Sequence, residues 1–257
     1  MMKNLKERIQ SGEALHGCWI NLGSLVSAEI IGQAGFDWVL IDLEHGAGND
    51  VVMYNQLQVL AGTPATSIVR IDDRTRPNVQ RILDAGASGI MFPQIQMPEE
   101  ADLAVRMMYY PPRGIRGMAN MVRATGFGLH ANAYKDSLEK NIVGVIQIET
   151  NNSISHIDDI AALEGVDVLF VGPNDLSLAL GIFGQWDHQL FQEAIKEVAR
   201  AAKKYQKAAG VLLQDSKEYE MYYQLGYRFL ACGGDGSFVA RGAGEMVKQL
   251  AAYREKA

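Results

Sequence analysis

Short apolar runs alternate with longer amphipathic stretches from one end of the chain to the other. The runs fall at residues 16–21, 38–42, 66–71, 89–93, 143–149, 168–172, 209–213 and 229–232. Most are continuously apolar rather than alternating, which is the pattern of strands covered on both faces. The gaps carry helical periodicity at residues 26–33, 51–60, 76–84, 99–108, 155–163, 190–204, 218–225 and 237–253. Small residues stand where helices stop, as in "QAGFD", "DAGASG" and "QLGYR". Eight β–α alternations predict an α/β fold of the (β/α)8 TIM-barrel type, with a doubly wound open sheet as the alternative. No linker or composition shift divides the chain, so residues 1–257 are read as one domain.

One segment breaks the rhythm. Residues 109–140, "YYPPRGIRGMANMVRATGFGLHANAYKDSLEK", are too long for a routine connection and carry Arg113, Arg116 and Arg123 among glycines and prolines. Long irregular loops in compact domains tend to be functional. Arg123, and after it Arg116, is the candidate for recognising a carboxylate at the far end of a substrate, with pairing at a subunit interface as the competing role.

Composition narrows the classes. The 257 residues are 48% hydrophobic and 21% charged, ordinary for a globular protein. A net charge of −6 argues against nucleic acid or an anionic membrane as the main partner. The N-terminal stretch is charged and amphipathic rather than apolar, and no apolar run is long enough to span a bilayer. Cys18 and Cys232 sit far apart in apolar contexts, which predicts two reduced thiols and a cytoplasmic protein.

In a (β/α)8 barrel the active site lies at the C-terminal ends of the strands. Those ends are polar here. The second run finishes in "IDLEHG", with Asp42, Glu44 and His45; the third ends at Arg70; the fifth carries Gln147 and Glu149; the sixth runs into "VGPNDLS", with Asp175. Two carboxylates on successive strands, without a cysteine or histidine cluster, favour a hard divalent cation such as Mg2+, Mn2+ or Co2+. Arg70 is a donor fork suited to a carboxylate or an oxyanion. The lysines lie away from the strand ends, which disfavours a Schiff-base mechanism. "GGDGS", residues 233–237, reads as a phosphate loop or as a plain tight turn.

Together, "GFDWVLIDLEHG", "SIVRI", "ILDAGASGIMFPQI", "YYPPRGIRG", "VIQIET" and "VDVLFVGPNDLS" resemble, in order and spacing, the class II metal-dependent pyruvate aldolases typified by 4-hydroxy-2-oxoheptane-1,7-dioate aldolase. The resemblance implies a barrel whose C-terminal helix is exchanged between subunits, with dimers assembled into a hexamer. It implies Glu149 and Asp175 as metal ligands, Arg70 at the keto or enolate oxygen, and Gln147 orienting the 2-oxo acid. The backbone of Gly172, Asn174 and Asp175 would hold the substrate carboxylate. His45 paired with Asp84 would act as base through a metal-bound water, Asp42 would support the arginine, and Trp19 would line the pocket. The reaction implied is cleavage or formation of a 4-hydroxy-2-oxo acid from pyruvate and an aldehyde. The alternative partner is an acyl-CoA, condensed on the same enolate-stabilising site in the manner of a citrate synthase. A non-catalytic 2-oxo-acid-binding protein is disfavoured by the joint presence of His45, Arg70, Asp84, Glu149 and Asp175. Where relatives tend to read D-G-E-H-A-P-N after the second strand, this chain reads Asp42-Leu43-Glu44-His45-Gly46-Ala47-Gly48-Asn49, so the electrophile side of the pocket is expected to differ.

Overall fold

A computed structural model describes residues 4–254. Eight parallel strands pair in chain order and close on themselves: β1 (Leu15–Ile20), β2 (Trp38–Asp42), β3 (Thr66–Arg70), β4 (Gly89–Phe92), β5 (Val143–Ile148), β6 (Val168–Val171), β7 (Ala208–Leu213) and β8 (Tyr227–Gly234). All eight expected strands are present, within two residues at each end. The open-sheet alternative is excluded by the β1–β8 pairing, in which Leu15 faces Phe229.

The helices are α1 (Leu5–Gln10), α2 (Leu25–Gln33), α3 (Asp50–Leu60), α4 (Arg76–Asp84), α5 (Pro98–Met108), α6 (Ala131–Asn141), α7 (Asn151–Ser155), α8 (Ile157–Ala162), α9 (Pro173–Ala179), α10 (Gln189–Lys204), α11 (Tyr219–Leu225) and α12 (Asp235–Arg254). Two differences from the sequence reading matter. The segment at 109–140 is not irregular throughout, because it ends in α6, and the stretch read as one helix at 155–163 is split at His156 into α7 and α8.

Alternate strand residues build two apolar layers, as a closed sheet requires. One lies inside the barrel, where the Trp38 and Phe229 rings stack at 4.0 Å and Phe170 meets both edge-on. Large rings fit there because small residues face them. A Cβ at Gly17 would stand 2.1 Å from the Trp38 ring, and one at Gly210 would stand 2.6 Å from Phe170. The other layer packs the outside of the sheet against the helices.

Helix α1 belongs to the inner layer. Leu5 and Ile9 join the barrel interior at the end where the strands begin. Lys6 is buried with them, 3.1 Å from the Asp167 carboxylate, and it donates to the Ile142 carbonyl at 2.9 Å. Burial pushes the Asp167 carboxyl upward, and Lys6 together with the Gly144 N–H offsets only part of that. The pair therefore fastens a plug rather than adding much net stability, because desolvation consumes most of the attraction.

Helix α12 is the opposite case. Val239, Met246, Val247 and Leu250 are 55–66% exposed along it, so only its first turns rest on the barrel.

Breaking the Lys6 pair should cost far more than the pair is worth intact. Asp167→Ala leaves an ammonium buried against neutral acceptors, an expected loss of about 3–5 kcal/mol in urea unfolding. A Lys6→Met/Asp167→Leu double variant should recover most of it. A loss below about 1 kcal/mol in the single variant would show that the plug is held by apolar contacts alone.

Candidate active site

Asp42 and Arg70 end neighbouring strands and are direct partners in the β2–β3 register. The Arg70 Nε donates to Asp42 Oδ1 at 2.8 Å and Nη2 to Oδ2 at 2.7 Å. Asp42 also accepts from the Asn21 side chain at 2.7 Å and from the backbone N–H groups of Glu44 and His45. The loop after β2 thus folds back over its own last carboxylate. Gly46 makes that turn possible, since a Cβ there would lie 2.1 Å from the Asp42 carbonyl oxygen.

The turn sets Glu44 against the other side of the guanidinium, with Glu44 Oε2 2.8 Å from Arg70 Nη1. Burial disfavours the charge on Arg70, and the Asp42 hydrogen bonds and charge outweigh it, so its pKa is raised. Two of its five N–H groups are given to Asp42 and Glu44 stands beside Nη1 as an ion-pair partner, so terminal N–H groups stay available for a ligand oxygen. His45 is largely exposed, and its Nε2 lies 3.9 Å from Glu44. Burial raises the Glu44 carboxyl, partly offset by Arg70 and His45.

Across the mouth, Gln147 and Glu149 lie two residues apart at the end of β5, and Gln147 Nε2 donates to Glu149 Oε2 at 2.7 Å. The other carboxylate oxygen accepts from the Gln94 backbone N–H at 2.7 Å. Gln94 follows β4 with φ of 54°, in the left-handed region, and this turn aims its N–H at Glu149. Burial pushes Glu149 up to about 7. The Gln94 N–H opposes this, and the charges of Asp175 and Glu44 reinforce it. The Gln147 Oε1 is buried without a partner. Gly172, the N-cap of α9, is shaped to this cluster, because a Cβ on it would come within 2.5 Å of Glu149 Oε2. Asp175 follows in the first turn of α9.

A cavity of about 750 Å³ opens beside these groups, lined at the mouth by Trp19, Asp42, His45, Arg70 and Asn174. Trp19 forms its floor, packed on Trp38 and Phe170.

The structure therefore brings together Trp19, Asp42, His45, Arg70, Gln147, Glu149, Gly172, Asn174 and Asp175 at one end of the barrel. Asp84 and Arg123 are not among them. Asp84 ends α4, which carries the chain away from the mouth, and its carboxylate takes the buried Arg116 at 2.6 Å. Within one chain His45 and Asp84 are thus not paired, and Arg116 has the acidic partner that the sequence did not reveal. Arg123 donates to the carbonyls of Ala85 and Leu57 on the flank of the barrel, so within the chain it does not reach the mouth. "GGDGS" is the junction at which β8 passes directly into α12. Asp235 is buried and accepts from the Asn21 N–H at 2.8 Å and the Ser27 hydroxyl at 2.6 Å, and the segment's own Gly234 and Gly236 N–H groups are given to Ser237 and Asp235, so they are not presented to a phosphate. Sequence reasoning missed Asn21, which directly follows β1, and the Gln94 backbone, whose only signal was its place after β4.

The family model described as HpcH/HpaI aldolase/citrate lyase matches residues 15–242. The chain belongs to the HpcH/HpaI aldolase/citrate lyase family. It is 36% identical to a hydroxypyruvate/pyruvate aldolase of Paraburkholderia phytofirmans over 96% of both chains. It is 38% identical to a 5-keto-4-deoxy-D-glucarate aldolase of Escherichia coli K12 over 85% of both. An HpcH/HpaI aldolase/citrate lyase family protein from Burkholderia cenocepacia superposes with a TM-score of 0.91 at 35% identity, covering 96% of this chain and 98% of that one. This HpcH/HpaI chain is accordingly an enzyme of the carbon–carbon lyase type. No helix among its described residues is long and apolar enough to cross a membrane.

The raised Glu149 carboxyl makes the metal-free fold sensitive to pH. The folded chain holds this proton up to about 7, whereas an ordinary glutamate loses it near 4.5. Folding binds the proton across that window, so this contribution to stability is complete below it and is lost as pH rises to about 7. Glu149→Gln should flatten that part of a melting-temperature profile in chelator and raise Tm above the window. An unchanged profile would place the proton on another group.

Proposed function

We propose that this enzyme is a divalent-metal-dependent aldolase that cleaves or forms 4-hydroxy-2-oxo acids through a pyruvate-type enolate. The observation that carries this reading is the Glu149–Asp175 pair. The charge of Asp175 adds to the burial that raises the Glu149 carboxyl, near an arginine already paired twice. A cation relieves that repulsion. Among the described residues no three of His, Cys, Asp or Glu converge into a metal-binding group, so Glu149 and Asp175 would leave further positions to water and substrate oxygens. All-oxygen donors fit a hard cation such as Mg2+, Mn2+ or Co2+. When bound, it supplies Lewis-acid stabilisation of negative charge on the substrate's keto oxygen.

The protein's own groups do the rest. The 2-oxo acid's carboxylate sits at the backbone of Gly172, Asn174 and Asp175, and Gln147 offers the amide hydrogen that Glu149 does not take to orient the acid. Arg70 directs its remaining terminal N–H groups at the keto oxygen and stays charged because Asp42 holds it. In the cleavage direction His45 takes the proton from the 4-hydroxyl and the bond between C3 and C4 breaks. The aldehyde leaves, and the electron pair moves onto the oxygen at C2 as an enolate, which is then protonated at C3 to give pyruvate. Glu44, beside His45 and Arg70, stabilises the protonated imidazole. The acyl-CoA alternative has less support, because the N–H groups at 234 and 236 are already taken and Arg116 and Arg123 lie on the flank.

The uncovered apolar side of α12 supports exchange of this helix between subunits and assembly into a hexamer. An Asp84 partner for His45 would then have to come from another copy, which would link the dyad to assembly.

Chelation should abolish retro-aldol turnover, and Mg2+, Mn2+ or Co2+ should restore it. His45→Ala should lower kcat/KM by about 10²–10⁴-fold, with slower exchange of pyruvate's methyl protons in deuterated solvent. Activity that persists in excess chelator would sink the metal assignment, and wild-type exchange in His45→Ala would move the base to Glu44. Assembly is tested separately. Deleting residues 243–257 should convert the oligomer to monomers in light scattering, and an unchanged mass would show that α12 does not hold the subunits together.

A further inference from the structure

With Arg116 and Arg123 fixed on the flank, a different cation faces the far end of the cavity. The cavity that starts at His45 and Arg70 continues past the end of β7 to the second turn of α12, where Ser237, Phe238 and Arg241 line it. These three lie at i, i+1 and i+4 on one side of the helix. Arg241 is exposed, makes no ion pair among the described residues, and lies over the Phe238 ring, 5.5 Å from its centroid. The ring is itself anchored, because it packs so closely on Gly233 that a Cβ there would meet it at 2.5 Å. Asp235 ties the first turn of α12 to the loop after β1. The guanidinium is thus carried on a fixed platform, although the remainder of α12 stands clear of its own barrel.

Charge gives that platform a purpose. The reacting end gathers Asp42, Glu44, Glu149 and Asp175, and Arg70 is already engaged by two of them. Asp215 adds a further acid to the cavity wall, its carboxylate accepting the Lys217 N–H. An electrophile bearing its own negative charge meets an unfavourable field along this path until it reaches Arg241, which among the described residues is the one lysine or arginine besides Arg70 lining the cavity. A volume of about 750 Å³ accommodates both reactants at once.

We propose that Arg241 is a specificity-determining residue that binds an anionic group, a carboxylate or a phosphate, at the end of the electrophile remote from its reacting carbonyl. The assignment rests on the aldolase reading above. It predicts that anionic aldehydes are preferred over neutral ones of equal length, and that the preference resides in this side chain.

The test uses the full chain with Mg2+ and ligands that lack the 4-hydroxyl and cannot be cleaved. Calorimetric titration compares 2-oxohexanedioate, its analogue with a terminal phosphonate, and neutral-ended 2-oxohexanoate, against wild type, Arg241→Gln and Arg241→Lys. Wild type should bind at least one doubly anionic ligand about tenfold more tightly than 2-oxohexanoate, and which one it prefers distinguishes carboxylate from phosphate. Arg241→Gln should erase that advantage while leaving 2-oxohexanoate within about twofold, and Arg241→Lys should keep part of it. The assignment is overturned if wild type shows no preference, if Arg241→Gln retains it, or if all ligands weaken equally. Proton exchange of pyruvate separates the two levels. Normal exchange with any of those outcomes refutes Arg241 alone, whereas absent exchange with no ligand bound refutes the aldolase reading as well.

Discussion

Asp42 and Arg70 face each other in register across two neighbouring strands, and the mouth of the barrel is organised by the need to keep those two buried charges paired. An unpaired charge at that depth would be prohibitive, so the loop after β2 turns back to bring backbone donors to the carboxylate, Asn21 adds another, and Glu44 closes the far side of the guanidinium. The result is a cation that cannot move away from the point where the strand ends converge. Its orientation is fixed before any ligand arrives, which is the condition under which electrostatic stabilisation is most effective.

Glu149 shows the complementary arrangement. Burial is the largest influence holding its proton and the charges of Asp175 and Glu44 add to it, yet one N–H from a left-handed Gln94 keeps drawing it toward the charged form. A non-glycine residue in that conformation costs roughly 1–2 kcal/mol. The Gln94 carbonyl is in turn held by Arg74, which reaches Glu100 near the start of α5. Strain and repulsion are concentrated at one site and supported from its surroundings, as expected where a structure gives up stability to keep a reactive arrangement.

The fold was legible because parallel strands covered on both faces must be apolar throughout, and eight such runs have few other solutions. The strand-end residues were legible for a related reason, since a closed barrel sends every strand's last polar residue to one rim. That logic fails for side chains on helices and long loops. Asp84, Arg116 and Arg123 were read by type, but their partners are fixed by how α4 and the 109–140 segment pack, and nothing local encodes that Arg116 meets Asp84 or that Arg123 meets two carbonyls. The turn at Asp235 was ambiguous because glycine-rich loops look alike until it is known whether their N–H groups are already taken. Arg241 went unnoticed for the same reason, on a helix whose surroundings the sequence does not describe.

The buried Lys6 has a consequence for how the chain is made. Its helix is translated well before its partners at Ile142 and Asp167, which are synthesised more than half the chain later. Until they appear, the lysine has only water to solvate it, and the apolar side of α1 has no barrel interior to enter. A helix translated ahead of all eight strands is therefore among the last elements that can be seated, and the open end of the nascent barrel stays accessible through most of synthesis. The segment that seals the bottom of the molecule thus waits for its seat while the rest of the barrel is still being made.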